Sequence, residues 1–213
     1  MRLLGRSLSE ISTHLNISKS SASIWLRDIH LPKCARQAIQ SKSQAGRLKS
    51  AETHRARTRG ILESSASQAT IVVGKIHLDE ILSSVICSLV YWCEGEKTQN
   101  DKTLTFANSD PKLVATFLNL FRRSFEVDES KFRVCLHLHD YHNEKQQIRL
   151  WSLVTGIPSV QFIKTYHKKH TGRQKREGYA GCASIRYYDT RIARQIQALA
   201  RAFLQKYGPI VQW

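Results

Sequence analysis

With 213 residues, 41% of them hydrophobic, the chain is long enough for one well-cored domain plus a smaller module. Its 33 basic and 17 acidic residues leave a net charge of +16, which points to nucleic acid ahead of an anionic membrane surface. No apolar run approaches the roughly 18–20 residues of a membrane span. No signal-peptide core follows Met1–Arg6, and the five cysteines (34, 87, 93, 135, 182) form no CxxC pair. These features argue against a membrane protein, a disulfide framework or a zinc ribbon. They lead us to expect a cytoplasmic, nucleoid-associated protein with reduced thiols.

Residues 7–26 predict two short helices around a turn. Ser7 and Glu10 have capping-box spacing, and Leu8, Ile11 and Leu15 share a face. Asn16 suits a left-handed turn position, and Ser18 suits the cap of the second helix, whose inward residues are expected to be Ala22, Trp25 and Leu26. The pattern resembles the DNA-binding helix-turn-helix of resolvases and many regulators. That resemblance implies that the N-terminal part of the second helix enters the major groove, offering Lys19, Ser20, Ser21 and Ser23. Two short helices cannot bury enough surface alone. Residues 33–66, apolar-poor and carrying Arg55, Arg57 and Arg59 among eight basic residues, are expected to form one long basic helix or a pair. This stretch would buttress the motif and lie along phosphates, with Ser64–Ala69 as a boundary. The expected division is therefore 1–66 and 71–213. Residues 1–70 hold 12 basic against 4 acidic residues and 71–213 hold 21 against 13, so the first stretch is the more concentrated cation.

Residues 80–94 predict a helix apolar around most of its circumference, through Ile81, Leu82, Val85, Ile86, Leu89, Val90 and Trp92. Ser84, Cys87, Ser88 and Tyr91 form a face that would let a second helix approach. Asp79 and Glu80 suit the positive start of the helix. Glu94 does not suit its negative end and calls for a cation there, either Lys97 or a metal.

Beyond it the pattern predicts a strand at 102–108, a helix at 110–125 and a strand at 132–139. A helix at 144–154, strands at 160–166 and 182–188, and a helix at 189–206 follow. On the 132–139 strand, Arg133, Cys135, His137 and His139 alternate with Val134, Leu136 and Leu138, so the polar set shares one sheet face. Residues 164–179 form a loop with six lysines or arginines (Lys164, Lys168, Lys169, Arg173, Lys175, Arg176), suited to a groove or phosphate backbone. Arg186 and Tyr188 alternate on the next strand and are expected to read base edges or contact phosphates from the sheet.

The segment Cys87-Ser-Leu-Val-Tyr-Trp-Cys-Glu94-Gly95 resembles the signature helix of LAGLIDADG homing endonucleases, with Trp92 where many members carry a first aspartate. The downstream order, together with Phe106-Ala-Asn-Ser-Asp-Pro111 and Arg186-Tyr-Tyr-Asp189, resembles the same family. This implies an α+β fold: a LAGLIDADG-like αββαββα domain, with a saddle-shaped antiparallel sheet and helices on one face, preceded by the all-α helix-turn-helix. Gly95–Thr98 would be the first strand and helix 144–154 an insertion.

The resemblance further implies a homodimer on double-stranded DNA, paired through Ser84, Cys87, Ser88 and Tyr91. It implies Mg²⁺ (or Mn²⁺) held at Glu94 and Gly95, and double-strand phosphodiester hydrolysis of the homing type. Lys97, Lys164 and His139 are the basic candidates to assist catalysis, and Asn108–Asp110 falls near the family's polar water-positioning place. The alternative is a sequence-specific regulator whose LAGLIDADG-like domain no longer cuts. A resolvase-like recombinase lacks a recognisable nucleophilic serine, and basic charge does not by itself separate DNA from RNA.

Overall fold

The computed structural model describes residues 1–97, 103–169, 172 and 178–208. The chain divides into two compact units, Met1–Ile76 and the part from His77 onward. Its class is α+β.

In the first unit, α1 (Leu8–Leu15) and α2 (Lys19–Trp25) are followed by α3 (Lys33–Gly74). The capping box forms as its spacing predicts. The Ser7 N–H donates to Glu10 Oε2 at 2.6 Å, and the Glu10 N–H donates to Ser7 Oγ at 3.2 Å. Asn16 takes the left-handed conformation (φ 53°) and Ser18 caps α2. The core is small: Gly5, Ile11, Ala22 and Ala35 are its buried residues. Trp25, expected inward, is 67% exposed, and Leu15 is exposed too. With seven residues, α2 has two turns, and its one buried place is taken by the much smaller Ala22. α3 is one helix of 42 residues and runs unbroken through Ser64–Ala69, where the sequence suggested a boundary.

The second unit is built on α4 (Glu80–Glu94), β1 (Leu104–Asn108), α5 (Pro111–Ser124), β2 (Phe132–His139) and α6 (Glu144–Thr155). β3 (Tyr166–Lys168), β4 (Cys182–Tyr187) and α7 (Thr190–Tyr207) complete it. The sheet order is β1-β4-β2-β3. β4 is antiparallel to both β1 and β2, and β3 is parallel to β2. The sheet is therefore not wholly antiparallel, because α6 acts as a crossover between β2 and β3. The strand expected at 160–166 is reduced to a parallel bridge from Phe162 to Val134, with the Ile163 N–H donating to the Val134 carbonyl at 2.8 Å. Gln161 sits in a short 3₁₀ turn, with its side-chain amide donating to the carbonyls of Glu129 and Phe132, and only Tyr166–Lys168 pairs as a strand.

α4 packs between α5 and α7. The core joins Tyr91, Phe106, Phe117, Phe121, Phe132, Trp151 and Tyr187, with Phe106 and Phe117 stacked at 4.0 Å between ring centres. Burying one such ring contributes roughly 1.5–3 kcal/mol. Val134, Leu136 and Leu138 face this core as their alternation predicts. The predicted helix stripes hold at their centres and slip at their ends. Trp151 is buried in α6 while Leu153 is 86% exposed, and Ile192 and Ile196 are buried in α7 while Leu204 is exposed.

The expectation that α4 is buried nearly all round is corrected. Ser83, Cys87, Ser88 and Tyr91 are buried, whereas Ile81 is 76% exposed and Leu82 is also exposed. The face of small residues is the one turned into its own protomer.

Candidate nucleic-acid interface and carboxylate site

Glu94 is the last residue of α4, and its side chain is open to solvent. Asn108, at the end of β1, donates from Nδ2 to Glu94 Oε2 at 3.0 Å, and Asn108 Oδ1 accepts from the Asp110 N–H at 2.8 Å. Asp110 is the N-cap of α5, accepting from the Lys112 N–H. The sequence flagged 108–110 as a polar place without choosing a residue; the structure brings Asn108 to Glu94.

Gly95 turns the chain immediately after Glu94. Its φ of −78° is ordinary, so a left-handed cap is not the reason for a glycine here. Close approach is the reason: a Cβ would lie 2.4 Å from the Tyr91 ring and 2.5 Å from the Tyr91 carbonyl oxygen. The Gly95 N–H donates to that carbonyl at 2.7 Å. Gly95 then bridges to Phe106, and the Glu96 N–H donates to the Thr105 carbonyl at 2.9 Å, so a short arm extends the sheet beside β1. The buried Tyr91 hydroxyl fixes this arm by donating to the Glu96 carbonyl at 2.8 Å.

Lys97 does not pair with Glu94. Its ammonium lies 5.2 Å from the centre of the Trp92 ring, a cation–π distance. His139 and Lys164 also stand apart from Glu94. The sheet order puts β4 between β1 and β2, so about 10 Å separates β1 from β2 at roughly 4.8 Å per strand. Lys164 lies beyond β2, where its carbonyl accepts from the Cys135 thiol at 3.5 Å. No group of three or more His, Cys, Asp or Glu among the described residues could hold a metal ion. What fits a hard divalent cation is one oriented carboxylate, Glu94, leaving most ligand positions to water and phosphate oxygens.

The sheet face away from the core is cationic. Arg133 on β2 stands opposite Arg186 on β4, which stands opposite Thr105 on β1. His137 follows opposite Cys182 and Tyr166, with its ring 5.5 Å from the Tyr166 ring. Burial, then Lys168 and Arg186, lower the His137 pKa. The Arg133 guanidinium is held beside this row, donating from Nη1 to the carbonyls of Ser130 at 2.7 Å and Phe132 at 2.6 Å. Tyr188 is exposed just past β4.

The basic loop is rooted firmly at its far end. The His139 N–H donates to His142 Nδ1 at 2.9 Å, so Nε2 carries the proton given to the Tyr179 carbonyl at 2.9 Å. Trp151 Nε1–H donates to the Ala180 carbonyl at 2.9 Å. The rings of His139, Tyr141, His142 and Tyr179 gather here, His139 lying 5.4 Å from Tyr141 and 6.0 Å from Tyr179. The histidine spacing His139-x-x-His142 was the available signal for this cluster, which the sequence reading missed. At the near end Lys168 lies 5.8 Å over the Tyr166 ring, and Lys164 and Lys169 are exposed. Arg173, Lys175 and Arg176 lie outside the described residues.

On the first unit Lys19, Ser20 and Ser23 are exposed at the start of α2, beside exposed Ile24 and Trp25. Ser21 is half-buried, with its hydroxyl 2.9 Å from Ser18 Oγ, so it serves the cap before it can serve a ligand. Lys42 of α3 holds α1 through Glu10 at 2.8 Å; with the Ser7 N–H this lowers the Glu10 pKa to about 2. Arg55, Arg57 and Arg59 are exposed on α3, Arg55 and Arg59 on one side and Arg57 on the other.

The residues assigned to a dimer contact need correction. Cys87, Ser88 and Tyr91 are buried within the protomer, and Ser84 is half-buried with its hydroxyl on the Ile81 carbonyl. Burial pushes the Cys87 thiol up to about 12. The less buried face of α4 is the opposite one, carrying exposed Leu82 and half-buried Val85, Leu89 and Trp92. No helix is long and apolar enough to cross a membrane, among the described residues. No protein-family profile, curated protein or solved structure matches the chain.

Proposed function

We propose that the chain is a homodimeric, metal-dependent DNA endonuclease of the LAGLIDADG type with a helix-turn-helix that lengthens the recognised site. The observation that carries this reading is the Glu94–Asn108 pair. A carboxylate at a helix end, held by an amide, stands at the margin of a sheet whose open face is cationic. The connection order supports the fold part. Counting the Gly95–Glu96 arm as a strand, the second unit reads αββαββα, with α6 and β3 inserted before the last strand.

Glu94 would hold Mg²⁺ or Mn²⁺ as an oxygen ligand with Asn108 fixing its rotamer. The bound cation supplies charge stabilisation at the scissile phosphate. Arg133, Arg186 and His137 would position the DNA backbone, together with Lys168 and Lys169 at the loop root. Two protomers would meet through the less buried apolar face of α4, bringing the two Glu94 residues toward one axis and supplying one carboxylate per strand cut.

A second reading, a DNA-binding regulator that no longer cuts, is favoured by one fact: among the described residues Glu94 belongs to no group of three or more His, Cys, Asp or Glu that could hold a metal ion. Incubation of the purified protein with DNA spanning its gene's insertion site, with Mg²⁺, Mn²⁺ or EDTA, separates the two. Metal-dependent double-strand cutting, lost in Glu94→Gln while binding persists, supports the nuclease. Tight binding without cutting in either metal supports the regulator, and preference for RNA of the same sequence overturns both.

A further inference from the structure

α2 has one buried residue, Ala22. At about 100° per residue, Lys19, Ser20, Ser23 and Ile24 fall within about 140° of its circumference, and Ala22 lies outside that arc. All four are exposed, Ile24 at 61%. Ser21 commits its hydroxyl to Ser18, whereas those of Ser20 and Ser23 have no hydrogen-bond partner among the described residues. With Leu8 of α1 the four residues line a shallow cleft of about 380 Å³. Its lining is two apolar side chains, two hydroxyls and one ammonium. No carboxylate, carboxamide or guanidinium lines it.

That inventory is selective toward a base edge. In the major groove adenine is matched by asparagine or glutamine and cytosine N4 by a carboxylate, and the cleft has neither. Lys19 can take guanine, but it leaves the outward isoleucine without a role. Thymine is the base that sets an apolar group, its C5-methyl, beside an acceptor, O4. Ser20 and Ile24 are four apart and are therefore neighbours on the helix surface, a hydroxyl donor beside an aliphatic side chain. We infer that α2 selects thymine, with Ile24 packing on the C5-methyl group and Ser20 donating to O4.

The occupant is DNA rather than an apolar protein surface. Ile24 stands among polar groups on this arc, exposed Trp25 lies about 100° away from it, and residues 1–70 carry 12 basic against 4 acidic residues. The contact also separates DNA from RNA. Uracil lacks the methyl group, and the deep, narrow major groove of an RNA duplex does not admit side chains. The inference deepens the proposed function and rests on its reading that α2 enters the major groove.

The test begins with duplexes that the full chain selects from a random pool in EDTA. Each thymine of the selected site is then replaced singly by deoxyuridine, which removes the C5-methyl and keeps O4 and the pairing. Affinity is read by fluorescence anisotropy. The wild type is expected to bind about fourfold more weakly when the thymine under α2 is replaced, the worth of one buried methyl-sized group. Ile24→Ala, which changes an exposed side chain, should bind the two duplexes alike at that position and keep any penalty at thymines read by the second unit. Ser20→Ala should weaken binding to both duplexes by the same factor, because both retain O4. A selected site in which no thymine carries the penalty overturns this inference and leaves the helix-turn-helix reading standing. So does a penalty that Ile24→Ala leaves intact at every position. Selection that yields no preferred sequence overturns both.

Discussion

The Asn108 side chain donates to Glu94 Oε2 at 3.0 Å, tying the last residue of α4 to the end of β1. Its own Oδ1 is fixed by the Asp110 N–H, so the amide cannot flip without losing a bond. A partner that orients a metal-binding carboxylate typically sets about 10–100-fold of metal affinity or activity. Asn108→Ala is expected to lower metal-dependent cleavage by about that factor while DNA binding in EDTA is unchanged. If Asn108→Ala cleaves like the wild type, the pairing has no part in the chemistry.

Arg133 and Arg186 face each other across β2 and β4 on the open side of the sheet. Arg133 is held by the Ser130 and Phe132 carbonyls, so Arg186→Ala is expected to leave stability within a few tenths of a kcal/mol of the wild type. DNA affinity should fall, and the slope of log K against log salt should shrink by about 0.9 for each phosphate that is no longer neutralised. Chemical denaturation and salt-dependent fluorescence anisotropy read the two effects separately. An unchanged salt slope would remove this face from the DNA interface.

The sequence disclosed most where a local rule acts alone. The Ser7–Glu10 box, the Asn16 turn and the Ser18 cap depend on neighbours a few residues away and are found in the structure, and so is the alternation along 132–139 except at Cys135, which is buried. It disclosed least where tertiary choice decides. α4 offers an apolar face and a small-residue face, and periodicity does not say which one α5 and α7 will cover; they take the small one. Strand 160–166 is reduced to the Phe162 bridge to Val134, because Ser159–Gln161 turn as a 3₁₀ helix after Pro158. Asn108 pairs with Glu94 across 14 positions, a relation no local pattern records.

Glu10 gives a pH test of the first unit. Bonds from Lys42 and the Ser7 N–H hold its pKa at about 2, below the usual 4.5. A carboxyl with a depressed folded pKa favours the folded state fully above its unfolded pKa. That contribution is lost as pH falls from about 4.5 toward 2. The α1–α3 contact should therefore loosen in that window while remaining constant from pH 5 to 8. Lys42→Met should bring the Glu10 titration, followed by carboxyl NMR, back toward the usual value and flatten the acid dependence. A Glu10 midpoint near 4.5 in the wild type would show that the Lys42 contact does not persist in solution.

Gly95 is the residue on which the position of Glu94 depends most directly. A methyl group there would meet the Tyr91 ring at 2.4 Å and the Tyr91 carbonyl at 2.5 Å. Tyr91 cannot swing aside: it is 1% exposed, stacked toward Phe117, and held through its hydroxyl by the Glu96 carbonyl. Overpacking of this kind costs typically about 1–3 kcal/mol. Gly95→Ala is accordingly expected to lower the urea midpoint at unchanged m-value, and to displace Glu94 so that cleavage falls more than stability does. Tyr91→Phe keeps the ring and removes one hydrogen bond, for a loss of about 0.5–1.5 kcal/mol. Tyr91→Leu in the Gly95→Ala background removes the ring that clashes and should recover part of the midpoint, though not all, since the carbonyl contact stays. A Gly95→Ala protein with the wild-type midpoint would mean that the chain leaves α4 by a different path from the one set by the Gly95–Phe106 bridge.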